Sequence, residues 1–212
     1  APGHGACPGC GIPVNVNLLL KGIEGNVVLL FQTGCGMVVT TSYPKTAFRV
    51  PYIHNLFQNG AATLAGVVEA FRQRRKRGEL PDEEITFVMV SGDGGMDIGM
   101  GSALGTALRN DHLIIFEYDN GGYMNTGYQL SYSTPKGAKS STSHIGKSST
   151  ERHFPQGYAH DHGCRKSALR SYGSRIQSGR LYQKSGKGQG VCVPFRHSIY
   201  KDTVRLSSEL GR

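Results

Sequence analysis

The 212-residue sequence predicts an α/β fold, in which a parallel sheet carries helices on both faces. Three short apolar runs with β-branched residues, at 26–33, 84–91 and 112–118, have the pattern of buried strands. Helical patterns lie between successive strands, at 56–77 and 98–110. Apolar strands that alternate with helices are typical of a parallel sheet that is covered on both faces.

The segments around these strands are interpreted in chain order. Residues 1–17 are rich in Gly, Pro and Cys and are expected to form a loop. The helix at 56–77 ends in the basic run RQRRKRG, which suits the negative end of a helix dipole. The helix at 98–110 contains Ala and Gly positions that allow close packing. The glycine-rich motifs follow the strands, at the edge where open α/β sheets bind ligands.

The formal net charge of +9 is unevenly distributed along the chain. Residues 1–147 have a net charge of +1, whereas residues 148–212 have +8. A nucleic-acid-binding module built on the basic segment is the weakest functional alternative, and it predicts binding that weakens steeply with salt. No apolar run reaches the roughly 18 residues of a membrane span, and no signal-peptide pattern is found. We therefore expect a cytoplasmic protein that binds neither membrane nor nucleic acid.

A single carboxylate lies among glycines after the second predicted strand, in Gly92-Asp93-Gly94-Gly95. Glycines let a phosphate approach the backbone, but an Asp repels it unless a divalent cation lies between them. Asp119-Asn120-Gly121-Gly122 follows the next strand and should emerge at the same edge. Oxygens from Asp93, Asn120 and a loop carbonyl suit Mg²⁺ that bridges a pyrophosphate. A tight turn is the alternative for the first motif alone.

The longer sequence segments around these motifs resemble those of a known protein family. GDGGMDIGMGSALGTALRN, DNGGYMNTGYQLSYSTPKGA and the early CPGCG closely resemble the β subunit of pyruvate:ferredoxin oxidoreductase, in the 2-oxoacid:ferredoxin oxidoreductase family. The resemblance covers roughly residues 4–147. It implies a thiamine diphosphate (ThDP) pyrophosphate-binding domain over residues 1–150, with the cysteine loop at its start.

The resemblance also implies a set of site residues. Asp93, Asn120 and the Gly122 carbonyl would hold Mg²⁺, and Asn125 would face the reacting end of ThDP as the one catalytic candidate. The full set expected to bind the cofactor is Gly92, Asp93, Gly94, Gly95, Asn120, Gly122, Tyr123, Asn125, Thr126, Cys35 and His54. His54 is the weakest member, because a hydrogen-bonded loop histidine just before a helix explains it better than a cofactor role does.

The cysteines give a second candidate site. Cys7 and Cys10 have CxxC spacing, which alone fits zinc, a redox pair or an iron–sulfur cluster. Cys35 lies in a Gly-Cys-Gly turn at a predicted strand end. The resemblance implies that these three and a later cysteine hold one [4Fe–4S] cluster. Cys164 and Cys192 belong to no recognisable motif.

The activity implied by the resemblance is CoA-dependent oxidative decarboxylation of pyruvate with ferredoxin as electron acceptor, or the reverse synthesis. The glutamate that activates ThDP would come from the pyrimidine-binding α subunit, so this chain should be inactive alone and work with further subunits. Another 2-oxoacid remains open as substrate. Half of a non-oxidative ThDP enzyme, such as a decarboxylase or transketolase, is the alternative.

The last segment, residues 151–212, is expected to be an aberrant basic tail. Only nine Ile, Leu or Val occur in residues 148–212, and the family resemblance stops there. Codons permitted for 177–189, read one base later, encode a pattern that fits a helix start. Codons for 167–174 permit a strand, and a later position permits Cys-Pro. The sequence therefore predicts a frameshift between about residues 151 and 167, followed by a poorly ordered tail without function.

Overall fold

The computed structural model describes residues 2–148 and 192–194. These residues form a five-stranded sheet in the order β2-β1-β3-β4-β5, and every pair of neighbouring strands is parallel. The elements in chain order are α1 (Ile12–Lys21), β1 (Asn26–Gln32), α2 (Cys35–Thr40), β2 (Tyr52–Asn55), α3 (Gly60–Lys76), β3 (Ile85–Gly92), α4 (Asp93–Ile98), α5 (Met100–Arg109), β4 (Ile114–Tyr118) and β5 (Cys192–Pro194). None of the helices in this part of the chain is long and apolar enough to cross a membrane.

The central strands are buried on both faces, as their continuous apolar runs predict. Along β3, Met89 packs into one core cluster with Leu64 of α3 and Ala103 of α5. The neighbouring Val90 packs into a second cluster with Val16 of α1. Because successive side chains of a strand point to opposite faces, the two clusters lie on opposite sides of the sheet. The predicted α/β fold with helices on both faces is confirmed.

Several elements differ from the sequence prediction. The expected loop at 1–17 is wrong from Ile12 onward, because α1 begins there with Pro13 in its first turn. Proline is tolerated in a first turn, where its missing N–H has no intrahelical partner. The short elements α2 and β2 were not predicted, and β2 is a four-residue strand at the sheet edge. The expected helix at 98–110 is confirmed as α5, whereas the short helix α4, which precedes it and is separated from it by Gly99, was not predicted.

The strand β5 lies inside the segment interpreted as an aberrant tail. Its register pairs Cys192 with Ile115 and Pro194 with Glu117 of β4. The sequence predicts that this tail completes no sheet edge, and β5 departs from that prediction over three residues. The remainder of 149–212, including Cys164, lies outside the described residues, so the frameshift stays a prediction.

The parallel topology decides where the motifs meet. β1, β3 and β4 are adjacent, and Gly92 at the end of β3 is in register with Tyr118 at the end of β4. The turn at Cys35 follows β1, the turn at Asp93 follows β3, and the turn at Asn120 follows β4. All three turns therefore leave the same edge of the sheet.

Candidate cofactor site

A pocket lies between these three turns. Its lining combines the glycine turn after β3, the loop after β4 and the start of α2. The lining residues are Gly34, Cys35, Phe57, Gly92, Asp93, Gly94, Gly95, Tyr118, Asn120, Gly122, Tyr123, Met124, Asn125 and Thr126. Every residue predicted to bind the cofactor is in this set except His54, so the sheet edge brings together motifs that are far apart in sequence.

Asp93 begins α4 and is almost completely buried, with 1% of its surface exposed. The hydroxyl of Ser131 donates a hydrogen bond to its Oδ2 at 2.6 Å, and the hydroxyl of Ser133 donates to the same oxygen at 2.8 Å. Ser133 also lies 2.8 Å from Oδ1 of Asp119. The hydroxyls fix the carboxylate in place and leave its Oδ1 available toward Asn120.

The electrostatics of the pocket favour a bound cation. Burial, and then the neighbouring Asp119 carboxylate, raise the pKa of Asp93 from its ordinary 3.8 to about 6, against the two serine hydrogen bonds. Burial also raises the pKa of Asp97, against a hydrogen bond from the Tyr132 N–H. A divalent cation beside Asp93 would offset both the desolvation and the repulsion between carboxylates.

The Asn120 side chain completes a set of oxygens that fits Mg²⁺. One terminal atom of its amide lies 2.8 Å from the Gly122 carbonyl oxygen and 2.9 Å from Oδ1 of Asp93. The two amide ends have the same shape, so the nitrogen occupies this position when it donates to both oxygens, and the oxygen when a cation is bound. Adjacent ligands of an octahedral Mg²⁺ with 2.0–2.1 Å bonds lie roughly 2.9 Å apart. The donor set therefore fits magnesium.

Two glycines of the motifs are required by close packing. A Cβ at Gly94 would lie 2.5 Å from the ring of Tyr123, whose hydroxyl donates to the Gly94 carbonyl at 3.0 Å. A Cβ at Gly122 would lie 2.7 Å from the main-chain oxygen of Gln129. Burial raises the pKa of Tyr123 to about 12, so this hydroxyl remains a donor at neutral pH. The loops after β3 and β4 are thereby held against each other.

Of the three predicted cluster cysteines, Cys35 lines the pocket at the start of α2, whereas Cys7 and Cys10 precede α1 in the chain. Cys7 and Cys10 are in one turn, where the Cys10 N–H donates to the Cys7 carbonyl at 3.0 Å. Cys10 and Cys35 are both partly buried and pack against the same apolar cluster. Burial raises the pKa of the Cys35 thiol, while contacts with the Asn125 main chain and the Asn120 side chain lower it.

No metal-binding group of three or more His, Cys, Asp or Glu side chains is assembled within residues 2–148 and 192–194. The three cysteine sulfurs are therefore not gathered into one ligand set in the described chain. The CxxC turn does leave Cys7 exposed, and Cys10 is near enough to Cys35 to raise its pKa. For the three sulfurs to bind one metal cluster, the turn that carries Cys7 and Cys10 would have to lie closer to Cys35.

His54 is placed differently from the sequence prediction. It lies in strand β2 rather than in a loop just before a helix, since α3 begins only at Gly60. Its Nε2 lies 3.0 Å from the hydroxyl of Thr33, and it does not line the described pocket. The geometry matches a hydrogen-bonded structural histidine, and a cofactor role for His54 remains a prediction.

Sequence reasoning missed several residues of this site. Tyr118 ends β4, and its hydroxyl accepts a hydrogen bond from the Gly36 N–H at 2.7 Å. Burial raises the pKa of Tyr118. The hydroxyls of Ser131 and Ser133 were also missed. Only a weak signal could have indicated them, namely a Ser-Tyr-Ser-Thr run directly after the glycine-rich loop.

An α/β domain with a buried Asp in a glycine turn, and an Asn at the end of the next strand, has the site architecture of a thiamine pyrophosphate-binding domain. The family model of the thiamine pyrophosphate enzyme C-terminal TPP-binding domain matches residues 32–184. This chain belongs to that family.

Within this family, the chain is similar to subunits of pyruvate synthase. The chain is 48% identical over 150 residues to pyruvate synthase subunit PorB of Methanothermobacter marburgensis, covering 70% of this chain and 50% of that protein. It is 35% identical over 226 residues to the PorB subunit of Pyrococcus horikoshii, covering 100% of this chain and 66% of that protein. The resemblance deduced from the motifs is thus confirmed. The chain spans about half the length of most of the curated relatives it matches.

A solved structure shares the fold. It is 2-oxoglutarate:ferredoxin oxidoreductase from Magnetococcus marinus with 2-oxoglutarate, coenzyme A and succinyl-CoA bound. The TM-score is 0.51 at 23% identity, over 70% of this chain and 47% of that one. At this identity the likeness supports the fold of the domain alone.

Proposed function

We propose that this chain is the β subunit of a pyruvate:ferredoxin oxidoreductase, which binds Mg²⁺–ThDP and a [4Fe–4S] cluster. The observation that carries the proposal is the convergence of the Asp93 carboxylate, the Asn120 amide and the Gly122 carbonyl after the ends of β3 and β4. The Asn120 amide lies 2.8 Å from the Gly122 oxygen and 2.9 Å from Oδ1 of Asp93, and such spacing suits adjacent ligands of one magnesium ion beside a diphosphate. The relatives named as pyruvate synthase subunits support pyruvate as the substrate.

Each part of the pocket has a distinct task in this proposal. Asp93 and Asn120 hold the metal from two adjacent strand ends, and Ser131 and Ser133 keep the Asp93 carboxylate oriented. The glycine turn after β3 lines the pocket and would hold the diphosphate against its backbone. Asn125 and Thr126 also line the pocket and would face the reacting end of the cofactor. When bound, ThDP supplies the carbanion chemistry that cleaves a 2-oxoacid.

The cysteines would provide the route for electrons. Oxidative decarboxylation releases electrons that a ferredoxin accepts singly, and an iron–sulfur cluster transfers electrons singly. Cys35 supports this role by its position, because it lines the ThDP pocket and also packs in the same apolar cluster as Cys10. In this proposal Cys7, Cys10 and Cys35 each supply a thiolate.

Partner subunits complete the activity. Asp93 is the one carboxylate among the described pocket residues. The glutamate that activates the aminopyrimidine ring is therefore proposed to come from a pyrimidine-binding α subunit, and the relatives are themselves named as subunits. The complex would act in the cytoplasm, where CoA takes the acetyl group and ferredoxin the electrons, or would run in reverse.

Anaerobic purification of the tagged chain with its associated subunits tests this proposal. ThDP, magnesium, iron and sulfide are quantified in the complex, and pyruvate- and CoA-dependent reduction of ferredoxin is followed. The expected result is activity with all four components present. A complex that releases CO₂ from a 2-oxoacid without iron or an electron acceptor would instead be a non-oxidative ThDP enzyme, and the proposal would be wrong.

A further inference from the structure

A loop formed by residues 131–134 packs against the residues of the proposed magnesium site. The hydroxyls of Ser131 and Ser133 face Asp93, and the Thr134 hydroxyl donates to the Gly121 carbonyl at 2.7 Å. The loop therefore contacts both turns that carry metal-binding atoms. Its own position decides whether the two serine hydroxyls reach the Asp93 carboxylate.

A buried lysine holds the main chain of this loop. Nζ of Lys147 donates to the carbonyls of Ser131 at 3.0 Å, Tyr132 at 2.8 Å and Thr134 at 3.0 Å. An ammonium group has three N–H donors, so these bonds use all of them. Lys147 is 2% exposed, which makes its hydrogen bonds shielded from water and strong.

The backbone of Lys147 is anchored independently of its side chain. Its N–H donates to the Ala138 carbonyl at 2.9 Å, and its carbonyl accepts from the Gly137 N–H at 2.9 Å. A substitution of the side chain therefore removes the three charged hydrogen bonds while the segment remains attached. The three loop carbonyls would then lose their charged donor, and the Ser131 carbonyl would retain the weaker bond from the Thr134 N–H at 3.3 Å, so the loop would be held less firmly.

We propose that Lys147 is a positioning residue of the magnesium–diphosphate site, which acts through Ser131 and Ser133 on the Asp93 carboxylate. The inference deepens the proposed function and rests on it. Partners that orient a metal ligand typically change metal affinity by about 10–100-fold when removed. Lys147 contacts the serine loop and not the Asp93 carboxylate itself, so we expect Lys147→Met to lower the Mg²⁺–ThDP affinity by about tenfold, at the low end of this range.

The experiment measures Mg²⁺ and ThDP affinity by calorimetry in the purified complex, which also avoids relying on turnover. Lys139→Met is the matched control, because Lys139 is exposed on the same segment and makes none of these bonds. The expected result is weaker Mg²⁺–ThDP binding in Lys147→Met and wild-type affinity in Lys139→Met. Equal affinities in wild type and Lys147→Met overturn the inference.

A double-mutant cycle separates positioning from general destabilisation. If Lys147 acts through the serine hydroxyls, Lys147→Met should weaken binding little further in a background that carries both Ser131→Ala and Ser133→Ala. Additive losses of affinity would mean that Lys147 supports only the fold, and would overturn the inference. Where Lys147→Met does not assemble, the same cycle with Lys147→Gln decides the question, since glutamine keeps part of the donor set.

The outcomes also separate this inference from the proposed function. A wild-type complex that binds no Mg²⁺–ThDP removes the proposed function, and the role of Lys147 falls with it. A wild-type complex that binds Mg²⁺–ThDP, beside an equally tight Lys147→Met complex, leaves the proposed function standing and removes the role of Lys147 alone.

Discussion

The hydroxyl of Tyr118 accepts a hydrogen bond from the main-chain N–H of Gly36 at 2.7 Å, which ties the end of β4 to the first turn of α2. The N–H groups of a first helical turn have no intrahelical partner, so a buried one needs an acceptor from elsewhere. Gly36 is buried, and its position leaves no room for a Cβ beside the Tyr118 ring. Through the Tyr118 side chain, the contact joins the turn at Cys35 to the end of β4 beside the ThDP pocket.

Tyr118→Phe should therefore destabilise the protein by about 1–3 kcal/mol, because it leaves the buried Gly36 N–H without this acceptor. Thermal unfolding of the complex measures the effect. Tyr43→Phe is the control, since Tyr43 is 97% exposed. Equal unfolding temperatures for the two variants would show that the Gly36 contact contributes nothing to stability.

Asp93→Asn should abolish Mg²⁺–ThDP binding, because an amide cannot supply the charge that the metal requires at this position. Calorimetry on the assembled complex measures it. Asp82→Asn, at a side chain that is 84% exposed, should bind as wild type does. If Asp93→Asn retained wild-type affinity, Asp93 would be no part of the site.

Mg²⁺–ThDP affinity should fall as the pH drops below about 6, where the raised pKa of Asp93 lies in the metal-free protein. A proton and the metal compete for this carboxylate, so the association constant should lose up to about tenfold per pH unit in that range. Titrations between pH 5 and 8, at about half-unit steps, check the slope. A flat profile would exclude Asp93 as the competing group.

The metal-free protein should show the opposite dependence in its stability. The pKa of Asp93 is raised on folding from 3.8 to about 6, so the native state holds the proton more tightly than the unfolded chain. This contribution is fully present below about pH 4 and is lost as the pH rises through about 6. Asp93→Asn should remove this pH-dependent loss of stability. The unfolding temperature of the variant should therefore decrease less between pH 5 and pH 7.5 than that of the wild type. An identical decrease in wild type and variant would contradict it.

Oxygen-sensitive iron and sulfide should be bound through Cys7, Cys10 and Cys35. Anaerobic metal and sulfide analysis of the complex, with Cys35→Ser and an unrelated Ser→Ala control such as Ser42→Ala, measures this. Loss of iron in the cysteine variant alone is the expected result. Stoichiometric zinc without sulfide would show that the cysteines hold a different metal.

The encoding DNA should contain a frameshift between about residues 151 and 167. The composition changes abruptly there, and the shifted frame permits helix and strand patterns in register. Sequencing the encoding DNA, and the corresponding genes of close relatives, checks this prediction. An intact frame, with the same basic tail in close relatives, would contradict the prediction.

Much of the site was predictable because its parts are local in the sequence. Glycine turns after apolar strands indicate where a parallel sheet binds its ligand, and Asp93 and Asn120 each lie directly after such a strand. The apolar runs of β1, β3 and β4 are likewise read from composition alone. The short elements α2 and β2 carry too little periodicity to be recognised.

The sequence by itself determined the α/β class, the edge at which the motifs meet and the family to which the chain is similar, because strand burial and glycine turns leave local patterns. Tertiary structure alone decided that Tyr118 caps the Gly36 turn and that Lys147 holds the Ser131–Ser133 loop against Asp93. These contacts join residues between 16 and 82 positions apart. No local pattern encodes such partners, since only the folded sheet sets which buried donor meets which acceptor.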